Sequence, residues 1–133
     1  MKVQQILDRK LKSEILAVSP DTSVYSALEA LEKHNIGALL VMEGDKLVGI
    51  FSERDYARRG ILKGKFSRES LVKDLMTSPV FTVSPQAKIE ECLTIMTEKH
   101  FRHLPVVDGE NVLGMISSTD LFRSILSQYQ NLV

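Results

Sequence analysis

Serine and aspartate stand three residues apart at two places in this 133-residue chain, Ser52-Glu53-Arg54-Asp55 and Ser117-Ser118-Thr119-Asp120. Each pair follows a glycine and two apolar residues, Gly49-Ile50-Phe51 in one case and Gly114-Met115-Ile116 in the other, and each opens an amphipathic stretch. A hydroxyl donates and accepts, whereas an ionised carboxylate only accepts. Set together at a strand-to-helix corner, the two groups can close a capping box, Ser accepting from a backbone N–H and the acid reaching back to the N-cap N–H. They can also take a donor from outside the chain. For either corner alone the cap is the stronger reading, although Glu fits the reciprocal cap better than the shorter Asp and both copies carry Asp.

Other reactive residue types are sparse. His100 and His103 are poorly spaced for a metal, because His103 falls past a helix end and no Cys or carboxylate ligand follows at a fitting distance, so no metal is expected. His34 and His100 read as helix-end residues. The lone Cys92 excludes an intrachain disulfide and lies on a core-facing stripe. No nucleophile, base and orienting acid recur at a recognisable spacing, so the chain is not expected to be an enzyme. The basic run Arg54, Arg58, Arg59, Lys63, Lys65 and Arg68 reads mainly as a solvated face. Arg54 and Arg58 share one helical side at i, i+4, which places them at a cleft ahead of the linker lysines. With no aromatic platform beside that run, nucleic acid is not an expected partner.

Composition sets few further limits. Hydrophobic residues make up 44% and charged residues 26%, with zero formal net charge, so any electrostatic function must be local. The apolar runs fall far short of the roughly 18 residues of a membrane span, and no signal-peptide core precedes Asp8. No membrane association and a cytoplasmic location are the expectations.

The elements that must position the corners repeat without a gap. Subtracting 49 from 114 gives an offset of 65, and that offset aligns Val18-Ser19-Pro20 with Val83-Ser84-Pro85, Leu28 with Leu93, Val41 with Val106 and Asp55 with Asp120. In each copy a short extended run (Ile15 to Val18; Val80 to Val83) leads into a helix. Its apolar face is Val24, Ala27, Leu28 and Leu31, or Ile89, Cys92, Leu93 and Met96, at i, i+3, i+4 and i+7. Asn35 and Gly37 mark the end of the first helix. A hairpin follows, Ala38 to Met42 and Leu47 to Phe51 around Gly44-Asp45, with Asp108-Gly109 at the second turn. Ser52 to Leu62 is predicted as the closing helix of the first copy, and the helix from Ser117 as that of the second, burying Leu121, Phe122, Ile125 and Leu126. Short helical preludes are predicted over Met1 to Leu7 and Leu71 to Met76. The fold class is therefore α+β, sandwich-like. It comprises two β-α-β-β-α repeats packed about a pseudo-two-fold axis, since one unit alone is too small to cover its sheet.

The residues resemble a known family. Ile36-Gly37-Ala38-Leu39-Leu40-Val41, Arg102-His103-Leu104-Pro105-Val106-Val107, the paired hydrophobic-Ser-Pro segments and the two G-x-x-S-x-x-D corners are similar to a stand-alone pair of CBS domains, or Bateman module. The resemblance covers nearly all of 1–133, with repeats at 8–62 and 71–128, and Ser52 to Arg59 is similar to the bacterial and organellar small CBS-pair proteins. It implies a non-catalytic regulatory module that binds an adenosyl ligand in clefts between the repeats, AMP first among AMP, ADP, ATP, NAD and S-adenosylmethionine. It implies further that Ser52, Asp55, Ser117 and Asp120 hold the ribose hydroxyls. Val18, Ser19, Pro20, Thr82, Val83 and Pro85 would line the adenine pocket. Arg102 and His103 match phosphate-binding positions, with Arg54, Arg58 and Arg59 as cations from the other side. Gly37 and Ala38 stand where the second repeat has Arg102 and His103, so the two sites are expected to be unequal. A homodimer and a separate regulated protein are the implied partners, and a ligand-free interaction scaffold is the alternative.

Overall fold

The computed structural model describes residues 1–10 and 16–131, in two compact units, Leu16–Val80 and Met1–Ile15 joined with Phe81–Val133. In the Leu16–Val80 unit, Ser23 accepts from the Ser26 N–H at 3.1 Å and so starts helix α2, Val24–His34. The predicted stripe is the buried one: Val24, Ala27 and Leu31 are in the core, and the helix ends at Asn35 in the left-handed conformation, φ 51°. Strand β2, Ala38–Glu43, turns through Gly44 (φ 62°, a conformation that glycine adopts without steric cost) into β3, Lys46–Ser52. The two-residue strand β1, Ala17–Val18, runs parallel to β2 on its other edge, giving the order β1-β2-β3. Ile15, placed at the start of β1 by the sequence, lies outside the described residues.

The second unit repeats these elements in register. Helix α5 is Ile89–Lys99, and β4 and β5 are His103–Asp108 and Asn111–Ser117, each displaced from its counterpart by 65 (89 minus 24; 103 minus 38; 111 minus 46). Even the irregularity in the hairpin recurs, between Val41 and Met42 and between Val106 and Val107. His100 takes the left-handed position that Asn35 takes in the first copy, φ 59°. Cys92, 0% exposed, is a core residue as expected, and burial, with Glu91 and Glu90 nearby, pushes its thiol up to about 11.

Three expectations need correction. Val80 to Val83 does not form a strand: only Val83 bridges β4, at Val106. In the first unit the Leu40 N–H donates to Leu16 O at 3.2 Å, but its counterpart in the second is Pro105, which has no N–H to extend the ladder. Ser52 to Leu62 is not one α-helix. It comprises α3, Glu53–Asp55, a π turn, Tyr56–Gly60, closed by Ile61 N–H on Tyr56 O, and a 3₁₀ turn, Ile61–Lys63. The wider turn seats Gly60 against the Tyr56 ring and Leu75, where an added Cβ would come within 2.8 Å of the ring. Finally, α6, Ser118–Asn131, buries Leu121 and Ser124 but exposes Phe122, Leu126 and Tyr129, because those three lie on a separate helical face at i, i+4 and i+7.

The preludes are helices, and each completes the core of the other copy. Helix α1, Val3–Arg9, places Val3 and Ile6 in the core of the unit built on α5, β4 and β5, and α4, Val72–Leu75, places Val72 and Leu75 in the core built on α2, β2 and β3. The backbone contacts match. Val3 N–H donates to Ala87 O at 2.9 Å and Val72 N–H to Thr22 O at 2.8 Å, while Gln4 N–H donates to Pro85 O at 2.9 Å and Lys73 N–H to Pro20 O at 3.0 Å. Beyond α4 the chain reaches the edge of β3, where Thr77 bridges Ile50. This explains Gly49: a Cβ there would meet Met76 Sδ at 2.5 Å and Thr77 O at 3.2 Å.

Candidate functional site

Both Ser-x-x-Asp corners form where the last strand of a hairpin becomes a helix, and both are reciprocal caps. At the first, Ser52 N–H donates to Asp55 Oδ2 at 2.9 Å and Asp55 N–H donates to Ser52 Oγ at 3.2 Å. At the second, the equivalent distances are 2.8 Å from Ser117 N–H to Asp120 Oδ2 and 3.1 Å from Asp120 N–H to Ser117 Oγ. The local sequence requires no more than this, since three residues of spacing bring hydroxyl, carboxylate and two N–H groups together.

Their further partners differ. Asp55, 8% exposed, also accepts from Ser52 Oγ at 3.1 Å on Oδ2 and from the Thr77 hydroxyl at 3.1 Å on Oδ1, and Arg59 Nη1 stands 3.9 Å from Oδ1. Arg59 is itself held by Met76 O at 2.9 Å and Leu75 O at 3.4 Å. Asp120 is paired with Lys10, whose Nζ lies 3.0 Å from Oδ2 and donates to Met115 O at 2.8 Å. Burial works to raise the Asp120 carboxyl, but the Ser117 N–H, the hydrogen bond and charge of Lys10, and the Ser117 hydroxyl together hold it below the ordinary carboxylate value. It is therefore an ionised acceptor at neutral pH.

The strand starts converge on these corners. Ser117 pairs with His103 and Ser118 N–H donates to Arg102 O at 2.9 Å, so Arg102 and His103 flank the Asp120 corner. In the first unit Ser52 pairs with Ala38 and Glu53 N–H donates to Gly37 O at 3.2 Å, which puts uncharged Gly37 and Ala38 on that flank. Arg54 is half-buried and Arg58 exposed, and the π turn brings Arg59, not Arg58, back over the carboxylate. Val18 ends β1, and Ser19 and Pro20 follow it, the Pro20 carbonyl engaged by Lys73 N–H. In the second unit Thr82 is exposed, while Val83 and Pro85 are buried.

Sequence reasoning missed Lys10 and Thr77 as partners of the two aspartates, because both arrive from outside the repeat that they serve. The basic run is partly committed elsewhere: Arg68 stacks on Tyr25 with 4.1 Å to the ring centre. An open cleft of about 410 Å³ lies beside the first corner, lined by Leu28, Glu32, Asn35 and Glu53 among others, but neither Ser52 nor Asp55 faces it. No group of three or more His, Cys, Asp or Glu is arranged for a metal among the described residues. No helix among them is long and apolar enough to cross a membrane.

The family model for the CBS domain matches twice, at residues 3–61 and 72–127. The chain is 40% identical to a putative signal-transduction protein with CBS domains from Burkholderia ambifaria, covering 96% of this chain and 95% of that one with a TM-score of 0.93. It is 36% identical over 115 residues to the mitochondrial CBS domain-containing protein CBSX3 of Arabidopsis thaliana, 83% of this chain but 56% of that protein's length. A CBS domain pair solved in complex with 5′-methylthioadenosine and S-adenosyl-L-methionine is 25% identical, with a TM-score of 0.82 over 96% of this chain and 98% of that one.

Proposed function

Because the chain belongs to the CBS domain family, we propose that it is a non-enzymatic regulatory module that binds an adenosyl ligand and signals its presence to a separate protein. AMP is the leading candidate, ahead of ADP, ATP, NAD and S-adenosylmethionine. The observation that carries this reading is the Asp120 corner, where a carboxylate kept ionised by its neighbours stands beside Ser117 and is flanked by Arg102 and His103. A carboxylate suits a ribose cis-diol, which presents donors and would lose one in a deoxyribose. The complex of a related CBS pair with two adenosyl compounds supports the ligand class. In this reading Ser52, Asp55, Ser117 and Asp120 are the ribose contacts. The segments Val18-Ser19-Pro20 and Thr82 to Pro85 meet adenine, and Arg54, Arg58, Arg102 and His103 meet phosphate.

Ligand would favour one packing of the module over another, and the partner would read that difference through its own affinity. A homodimer in the cytoplasm belongs to the same proposal, and the exposed line Phe122, Leu126 and Tyr129 on α6 supports a protein contact. One observation favours the second reading, a ligand-free scaffold: both carboxylates already serve as helix caps. Thermal unfolding with AMP, ADP, ATP, NAD and S-adenosylmethionine tests the choice. Ligand at a hundredfold over its Kd adds about 2.7 kcal/mol, a rise of several degrees. No rise with any of them leaves the scaffold standing and removes the sensor.

A further inference from the structure

We propose that, of the two corners, only that of Asp120 takes the adenosyl ligand and that Lys10 is one of its ligand-binding residues, an assignment that rests on the reading of these corners as ribose sites and narrows it by withdrawing Ser52 and Asp55. An ionised carboxylate has about four acceptor positions. At Asp55 three of them are used by hydrogen bonds, and a cation stands beside the fourth. Oδ2 accepts from both the N–H and the hydroxyl of Ser52, while Oδ1 accepts from Thr77 and faces the Arg59 guanidinium. A diol reaches this carboxylate only by displacing Thr77 and Arg59, and Arg59 is anchored independently by Leu75 O and Met76 O.

At Asp120 every donor falls on Oδ2, and no hydrogen bond reaches Oδ1 among the described residues. The Asp120 side chain is 16% exposed, against 11% for that of Asp55. Beside Asp120, Lys10 donates to Oδ2 at 3.0 Å and to Met115 O at 2.8 Å, which leaves one of its three N–H donors over among the described residues, and its side chain is 39% exposed. An open acceptor next to an open donor is the complement of a hydroxyl: the sugar O–H donates to Oδ1 and its oxygen accepts from Lys10. The Asp55 corner offers no such pair.

Isothermal titration of AMP into the full chain tests the assignment. One site per chain is expected, retained in Asp55→Asn and lost in Asp120→Asn. Lys10→Met should weaken AMP by about tenfold, the scale of one hydrogen bond from a charged donor, with Lys10→Arg recovering most of it. Lys10→Met should also shrink the preference for AMP over its 2′,3′-dideoxy analogue, which a purely structural lysine would leave unchanged. Two sites per chain, loss of binding in Asp55→Asn alone, or wild-type affinity and sugar preference in Lys10→Met each overturn the assignment while leaving the sensor reading intact. A wild-type chain that takes up no adenosyl compound overturns the ribose reading itself, and the assignment with it.

Discussion

The corners at Asp55 and Asp120 share a sequence pattern, a strand-to-helix geometry and a reciprocal cap, yet one carboxylate is closed and the other half open. What they share is made by residues within three positions of each other; what separates them is brought in from elsewhere. The exchanged helices do not keep the spacing of the repeats: 72 minus 3 gives 69, not 65, so the chain leaving α4 and the chain leaving α1 present unrelated residues, Thr77 and Lys10. A duplicated motif therefore does not guarantee a duplicated site.

The comparison can be pressed first at the core beneath each corner. Phe51 and Ile116 are equivalent (116 minus 51 gives 65), and both are 0% exposed. Phe51→Ala should cost about 3–5 kcal/mol and Ile116→Ala about 2–5 kcal/mol, read from urea midpoints. A negligible loss at either would show that its unit is not organised around that residue. Next come the carboxylates themselves. Asp55→Ala strips partners from the Thr77 hydroxyl and the Ser52 N–H and should cost about 3 kcal/mol, against about 1 kcal/mol for the cap lost in Asp120→Ala. Equal losses would erase the distinction between closed and open corners.

Acid titration gives a smaller and more selective effect. The folded Asp120 carboxyl lies below its ordinary value of 3.8, so its contribution is complete above that pH and is lost as the pH falls through the depressed folded value. Lys10→Met should flatten this part of a stability profile measured below pH 4 (roughly the unfolded carboxylate range); an unchanged slope would mean that Lys10 does not hold the carboxylate down. The smallest expected signal is at Cys92. With its folded thiol pushed up to about 11, native protein at mildly alkaline pH should react with a thiol reagent only as fast as it opens. Its contribution to stability is present below the unfolded thiol value and falls as pH rises toward 11.

Much of this architecture was legible in the sequence because its causes are local. Val24, Ala27 and Leu31 announce a buried helical face, the turns at Gly44 and Gly109 announce hairpins, and one offset maps each unit's helix and strands onto the other. The reciprocal caps were legible for the same reason. The shortened edge of the second sheet could have been read from Pro105, whose missing N–H is visible in the sequence once its position opposite Val80 to Val83 is known. Which of the three arginines named from the sequence reaches the carboxylate was not legible, because the π turn that selects Arg59 seats Gly60 against Tyr56 and Leu75, a packing event that helical periodicity does not encode. Thr77 and Lys10 were hidden because their partners are distant in sequence and belong to the other repeat.

The reciprocal exchange of α1 and α4 also sets an order of assembly. Everything that the Leu16–Val80 unit requires is contiguous, so it can close as soon as that stretch has left the ribosome. Helix α1 is synthesised before any of it, yet its buried Val3 and Ile6 have no core to enter until Ile89, Leu104, Ile116 and Leu121 have been made. Helix α1 is thus held over to the second unit, and that unit must form across the intervening Leu16–Val80 stretch, the slower event in any account where closure entropy and sequence separation set the rate.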